Sequence, residues 1–563
     1  MRFICRELAL VACVVMLTSA QSFGQNFSQS RISVPKNWQL LSYDTDSVYG
    51  IGAEKAYREL LEGKKSHTVI VAVIDSGIDT THEDLKPILW HNPKEIPGNN
   101  IDDDGNGYVD DVNGWNFLGA KDGSSVKEDS DEATREYFRM KKKYIDPDSA
   151  LAPDSKEFAY WTRLKDRIER PSSQNKANYK MMQKVQENLL HCEAILSEYL
   201  KTTDFTLQQL DTIRSNDQDV MLAKSFALRL LNSTGEEGMT YQALKTDLAE
   251  YIKDLKRKAE FSGQEPQDKR ATIVGDDLSD INDRYYGNAD VMGQFATHGT
   301  HVSGIIAAVR GNNVGIDGVA DNVRIMAVKV VPEGDERDKD VALGIRYAVD
   351  NGAQIINMSF GKGFSPQKAW VDDAIRYAEE KGVLLVHAAG NDGANNDEVE
   401  NYPKDTYNNG KEANNLITVG AIGNGRTGSK VAGFSNYGKK EVDVFAPGVQ
   451  IYSTVPGGNK YNNASGTSMA SPVVAGVAAL ILSYYPDLSA RQLKQIIEKT
   501  ASPLPDNMVN KPGAKDETID FSELSVSGGI VNVYEALKLA EKTKGENAKE
   551  NRRKARMSAA SKD

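Results

Sequence analysis

The 563-residue chain predicts an α/β fold, a mainly parallel sheet covered by helices on both faces and interrupted by one large helical insertion. Three observations carry this reading. "TVIVAVI" (residues 68–74) is a continuous β-branched apolar run, the pattern of a strand buried on both faces, and runs of the same kind recur at 323–331, 353–360 and 382–390. The helical patterns "DVALGIRYAVDNG" and "AWVDDAIRYAEEKG" lie between the last three, and each ends on a glycine, Gly352 or Gly382, where a left-handed cap is expected. Between 119 and 284 the texture changes. Charged and amide residues dominate, and Met182, Val185, Leu189, Cys192, Leu196 and Tyr199 recur at alternating three- and four-residue spacing, the seam of a helix packed on helices. Further helices are expected at 217–231 and 240–261.

In chain order, "MRFICRELALVACVVMLTSAQSFGQ" places Arg2 and Arg6 before a short apolar run and then small residues, an export signal over 1–24. Cleavage after Ala20 and after Gly24 are both compatible with it. The "LVAC" string is similar to a lipoprotein box, but Cys13 stands in the middle of the apolar run. The run is too short to span a bilayer comfortably, so no stable membrane span is expected after signal removal, and a secreted or periplasmic protein is. Cys5 and Cys13 leave with the signal, so Cys192 is the one mature cysteine and no internal disulfide can form. On its apolar seam it reads as a small core residue. The formal charge of −12 argues against the basic stripe of a nucleic-acid binder.

The body is thus expected as 25–118 and 285–540 around the 119–284 insertion. Near its end, "MASPVVAGVAALILSYYP" is apolar all round, a buried helix in which Pro472 is tolerated only near the first turn, and Ser489 and Gln492 have capping-box spacing. The tail 541–563, with 8 basic and 4 acidic residues and no apolar period, is expected to be disordered.

The chemistry turns on "SGTSMASP" (465–472). A serine hydroxyl becomes a nucleophile only beside a base that is itself oriented by a third group. "THGTHVSGIIAAV" offers His298 and His301, whereas His67, His91 and His191 stand in polar contexts that read as surface. "VAVIDSGIDTTHEDL" places Asp75 at the end of a buried strand, where open α/β sheets present functional groups. Each motif alone reads as a turn or a helix cap. Together, "DSGID", "HGTHVSG" and "SGTSMASP" in the order Asp, His, Ser resemble the signatures of the subtilisin-like serine peptidases, the subtilases. The resemblance covers roughly 36–118 and 285–540.

It implies an exported serine endopeptidase acting on protein or peptide substrates through an acyl-enzyme. Asp75 would orient the imidazole, His298 would be general base and then acid, Ser468 would be the nucleophile, and His301 a structural residue. Asn391 in "AAGND" matches the family's oxyanion-hole asparagine, with the Ser468 backbone N–H as second donor. Ser359, Phe360 and Gly361 are similar to its substrate-pairing strand, and Ala388, Ala389 and Gly390 to one wall of its specificity pocket. The absence of a carboxylate in "SFGKGF" favours broad or apolar specificity over cleavage after Arg or Lys.

"NNIDDDGNGYVDD" sets Asp102, Asp104, Asn106 and Asp110 at alternate positions around Gly107, a spacing that resembles a Ca²⁺ loop but carries Asn113 where an EF-hand has glutamate. A looser candidate combines Asp84 with the 310–318 loop. The 223-residue separation of Asp75 and His298 departs from the few tens of compact subtilases, and the insertion it holds could gate substrates, bind a partner or drive oligomerisation. The opposing reading is a catalytically silent scaffold whose insertion binds a partner; labelling of Ser468 separates the two. An esterase of α/β-hydrolase type would need a Gly-x-Ser-x-Gly elbow, and residue 470 is Ala.

Overall fold

A computed structural model describes residues 34–144, 146–169, 172–233, 240–261, 265–266, 268–426, 430–514 and 516–547. The export signal with its cleavage sites, and residues 548–563 of the tail, lie outside them.

Seven parallel strands form the central sheet: β1 (Val69–Asp75), β2 (Gly114–Asn116), β3 (Val323–Lys329), β4 (Ile355–Met358), β5 (Leu384–Ala388), β6 (Leu416–Ile422) and β7 (Val444–Pro447). Their order is β2-β3-β1-β4-β5-β6-β7. The four predicted runs are β1, β3, β4 and β5. Strands β2 and β7 are too short for any period to show, while β6, "LITVGAI", carries the same apolar signature as the four. A hairpin of β8 (Ile451–Val455) and β9 (Lys460–Ala464) stands apart from the sheet.

The insertion contributes α1 (Glu132–Lys143), α2 (Lys156–Glu169), α3 (Ser172–Leu200), α4 (Gln218–Ser233) and α5 (Tyr241–Phe261). After it come α6 (Thr297–Ala307), α7 (Asp338–Asp350), α8 (Lys368–Glu380), α9 (Thr467–Tyr484), α10 (Ala490–Lys499) and α11 (Val533–Lys542). Alternate residues of each strand serve opposite faces, as the two-residue period of a strand requires. Val69, Val71 and Val73 join the core under α6 and α9, whereas Ala72 and Ile74 join the one under α7 and α8. Gly352 and Gly382 follow α7 and α8 with φ of 85° and 75°, the expected left-handed caps. Ser489 and Gln492 form the capping box of α10.

Helix α9 is apolar and long enough to cross a membrane, but 89% of its residues are buried between the sheet and α6. Pro472 lies deeper in it than the sequence predicts, at the sixth residue. Its missing N–H leaves the Ser468 carbonyl without a helical donor. The hydroxyl of Ser359 supplies one instead, at 2.9 Å.

The insertion leaves the sheet after Asn116 and returns beside it. Asn116 and Asn288 exchange backbone hydrogen bonds at 2.9 and 3.1 Å. Between them, α3, α4 and α5 bury a core of their own, with Cys192, Leu196 and Leu189 on the predicted seam. Tyr199, placed on that seam by spacing, is 43% exposed and hydrogen-bonds the Arg214 carbonyl instead. Burial pushes the Cys192 thiol up to about 11, the behaviour of a core residue. The ordered chain also reaches beyond the predicted boundary at 540: α11 runs to Lys542, and the Asn547 N–H bonds the Asp487 carbonyl.

Candidate active site

Strand β1 lies where the chain order reverses, with β3 and β2 on one side and β4 to β7 on the other. The crevice beyond the carboxyl ends of the strands at such a point is where open α/β sheets hold ligands. Asp75 is the last residue of β1, and its side chain is only 3% exposed. Its carboxylate oxygens stand 2.8 and 3.0 Å from Nδ1 of His298, in the first turn of α6, whose side chain is 40% exposed. The backbone N–H and hydroxyl of Ser76 also donate to Asp75. An acceptor pair on Nδ1 fixes the proton there, the tautomer in which Nε2 is the basic nitrogen.

Gly299 makes this approach possible. A Cβ there would lie 2.3 Å from the Gly77 carbonyl and 3.2 Å from the Asp75 Cβ, so any other residue would push α6 off β1. One turn on, His301 is buried with Nε2 3.1 Å from the carbonyls of Ile451 and Asn462, tying α6 to the β8-β9 hairpin. Burial pushes its pKa down to about 4.

Ser468 opens α9. Every other residue from Thr467 to Ser483 is buried, and Ser468 alone is partly open. Its hydroxyl donates to the Ser359 carbonyl at 3.0 Å, so the two serines exchange hydrogen bonds. Beside them, Asn391 Oδ1 accepts the Thr467 N–H at 2.9 Å and the Thr467 hydroxyl at 3.0 Å. A backbone N–H can only donate, so the atom facing it is the amide oxygen. Among the described residues the amide nitrogen of Asn391 donates to none, so its two protons can meet another acceptor.

The predicted substrate rim follows β4. The Phe360 carbonyl is held by Nε2 of His387 at 2.8 Å, and Gly361 is exposed. His387 is buried, with its pKa pushed down to about 4 and its Nδ1 unpaired, and no sequence signal marked it. Of the predicted pocket wall, Ala388 and Ala389 are buried, and Ala389 packs into the core with Ile422 and Phe445. Only Gly390 is partly open. Three asparagines outside any motif hold this segment: Asn401 and Asn396 donate to the Ala389 carbonyl at 2.9 Å, and the Asn436 N–H donates to the Gly390 carbonyl at 2.9 Å.

The acidic loop is rearranged relative to its predicted ligand set. Carboxylate oxygens of Glu95, Asp102 and Asp104 lie within 4.8 Å of one another. Asp110 is not among them, because its carboxylate caps the exposed turn at Gly98 and Asn100. Asn106 spends its side-chain oxygen on the Tyr108 N–H and its amide on the buried Asp111. Glu95, seven residues before Asp102, takes Asp110's place in the cluster; Glu95 itself accepts the N–H groups of Asp103, Asp104 and Asp110. At the looser candidate, the Asp84 carboxylate accepts from Asn312 at 2.6 Å and from Tyr461 at 2.9 Å.

The insertion reaches the mouth of the crevice. Lys253 of α5 pairs with Glu333 beyond β3 and lies 4.6 Å above the ring of Phe295, three residues before His298, and α5 also packs against β9.

Residues 66–518 match the sequence profile of the Subtilase family. Subtilisin DY of Bacillus licheniformis is 42% identical over 213 residues, 37% of this chain and 72% of the relative. A thermophilic serine proteinase of Bacillus sp. (strain AK1) is 43% identical over 205 residues, 36% of this chain and 46% of the relative. Subtilisin E of Bacillus subtilis (strain 168) is 39% identical over 211 residues, 37% of this chain and 51% of the relative. A solved protease structure from Pseudoalteromonas arctica PAMC 21717 aligns over 90% of this chain and 100% of its own, with a TM-score of 0.45 and 19% identity.

Proposed function

The chain belongs to the subtilase family and is a homologue of serine-type endopeptidases, and we propose that it is an exported endopeptidase working through Asp75, His298 and Ser468. The observation that carries this reading is the two-oxygen contact of Asp75 with His298, made across 223 residues of sequence. With Nδ1 holding its proton toward Asp75, His298 Nε2 removes the Ser468 hydroxyl proton as the oxygen attacks the scissile carbonyl. Ser468 first releases its hydrogen bond to Ser359, whose carbonyl then becomes free for the N–H of a bound peptide. The developing oxyanion is met by the Asn391 amide and the Ser468 backbone N–H at the positive end of α9. The imidazolium, stabilised by Asp75, then protonates the leaving amine. Water repeats the sequence on the acyl-enzyme.

Ser359, Phe360 and Gly361 are the edge against which an extended chain pairs, with Ala388, Ala389 and Gly390 behind the first specificity pocket. No acidic side chain in 359–364 selects a basic residue, which supports broad or apolar preference. Glu95, Asp102 and Asp104 offer hard oxygen donors of the kind Ca²⁺ takes, and we assign them as a structural site; bound Ca²⁺ would offset two of the three clustered negative charges. Export rests on the N-terminal apolar pattern. The insertion, with its own core, is the part best suited to meet a partner protein or a second copy.

The test is labelling with a fluorophosphonate probe, with the adduct mapped by mass spectrometry. The expected adduct sits on Ser468, and its absence from a folded protein would end the peptidase reading.

A further inference from the structure

Strand β1 ends at Asp75 and its chain turns away, but both neighbours continue. Beyond β3, the N–H groups of Val330 and Val331 donate to the Asp75 carbonyl, and the chain runs on through Gly334 to Glu336. Beyond β4 run Ser359, Phe360 and Gly361. At a strand spacing of about 4.8 Å these rims stand about 10 Å apart, leaving a lane one strand wide. Gly334 and Gly361 make no backbone hydrogen bond among the described residues, so the lane has open partners on both sides.

The lane does not run on. Next after Gly361 comes Lys362, which is 6% exposed, and its ammonium donates to the Glu336 carbonyl at 2.7 Å, joining one rim to the other. It also pairs with Asp338 and, across the closure, with Glu132 at the start of α1, both at 2.8 Å. The Glu132 N–H donates to the Asp335 carboxylate, and Arg135 bonds Glu132 and the carbonyls of Asp335 and Glu336. Just before α1, Lys127 and Asp129 take the backbone N–H and C=O of Glu333. Glu132, Glu336, Asp338 and Lys362 are all buried. Opening this wall would strand buried charges, so it is a rigid one.

We propose that the insertion makes the groove blind at this end, so that a bound chain pairs with only Ser359, Phe360 and Gly361 and must turn into solvent before a fourth residue. Antiparallel pairing, the more stable arrangement, puts this end on the amino side of the scissile bond. The substrate class that follows is flexible chain able to bend sharply within about three residues of the cleavage point. Long extended segments gain nothing from their length. This deepens the peptidase reading and rests on it.

The wild-type protein is assayed on acetylated peptide p-nitroanilides with two, three, four and five residues before the leaving group. From two to three, kcat/KM should rise about tenfold, the worth of a hydrogen-bonded pair, and the fourth and fifth residues should change it less than about twofold. A second rise of about tenfold at the fourth residue would overturn the blind groove while leaving the peptidase intact. Absence of cleavage at every length, in protein that also takes no fluorophosphonate, removes the peptidase reading and this inference with it.

Discussion

Replacing Asn391 separates two roles that the structure gives one side chain. Its Oδ1 accepts the N–H and hydroxyl of the buried Thr467, while its amide nitrogen is the proposed donor to the oxyanion. Asn391→Ala removes both functions. Loss of one of two oxyanion donors costs about 3 to 4 kcal/mol, or about 10² to 10³ in kcat, the magnitude known for a subtilisin, a relative of this chain. The stranded Thr467 N–H adds about 1 to 3 kcal/mol of lost stability. Asn391→Asp keeps the acceptor and loses only the donor, so it should be at least as slow as Asn391→Ala while melting near wild type. The assay is steady-state hydrolysis of a peptide p-nitroanilide, with calorimetric melting of all three proteins at pH 8. A kcat within about tenfold of wild type for Asn391→Asp would refute the oxyanion assignment. Equal melting losses for both variants would refute the acceptor role at Thr467.

Ser468→Ala should lower kcat by about 10⁶, again a magnitude known from a subtilisin, and shift the melt by less than about 2 °C, because the half-open hydroxyl makes one hydrogen bond. Hydrolysis at the wild-type rate would remove the nucleophile. A Ca²⁺ site saturated a hundredfold above its Kd adds about 2.7 kcal/mol, so chelation should lower the melt by several degrees, and Glu95→Gln with Asp102→Asn should abolish that response. An unchanged melt in chelator would remove the metal. Acid should destabilise the fold through His301 and His387. Burial pushes both down to about 4 from an ordinary 6.5, so between these values the unfolded chain binds protons that the folded chain refuses. Stability is therefore full above about pH 6.5 and declines as pH falls toward 4, by about 2 kcal/mol per histidine at pH 5. Urea titrations of wild type and His387→Gln at pH 7.5 and pH 5 check this, the variant losing less.

Much of the candidate site's geometry was legible because its residues sit in contiguous strings. Asp75, His298 and Ser468 each carry small neighbours that a close approach demands, and Gly299 shows why: the Gly77 carbonyl occupies the space a side chain would need. The parallel sheet was legible for a similar reason, since a strand buried on two faces must be apolar throughout. What stayed hidden depends on contacts between positions unrelated in sequence. Glu95 replaces Asp110 near the acidic loop because the turn at Gly98 and Asn100 claims Asp110. The depth of Pro472 in α9 makes sense only once Ser359 is found opposite the Ser468 carbonyl. His387 lies inside an apolar strand and gains its meaning from the carbonyl of Phe360 just beyond the neighbouring one. The wall at Lys362 joins three separate stretches, and no motif marks Glu132, Glu336 or Lys362 as partners.

The place of β1 also sets a clock. Synthesised early, it pairs on both sides with strands made far later: Val71 aligns with Ile325 of β3 and Ile355 of β4. Until those residues exist, Asp75 has neither neighbouring strand nor His298, and Ser468 comes later still. Long-range parallel pairing of this kind folds slowly, and a chain emerging from its amino end at about 5–20 residues per second has not brought Asp75, His298 and Ser468 together for most of its synthesis. Distance along the sequence thus acts as a delay line, and assembly of the candidate active site is one of the last events of folding.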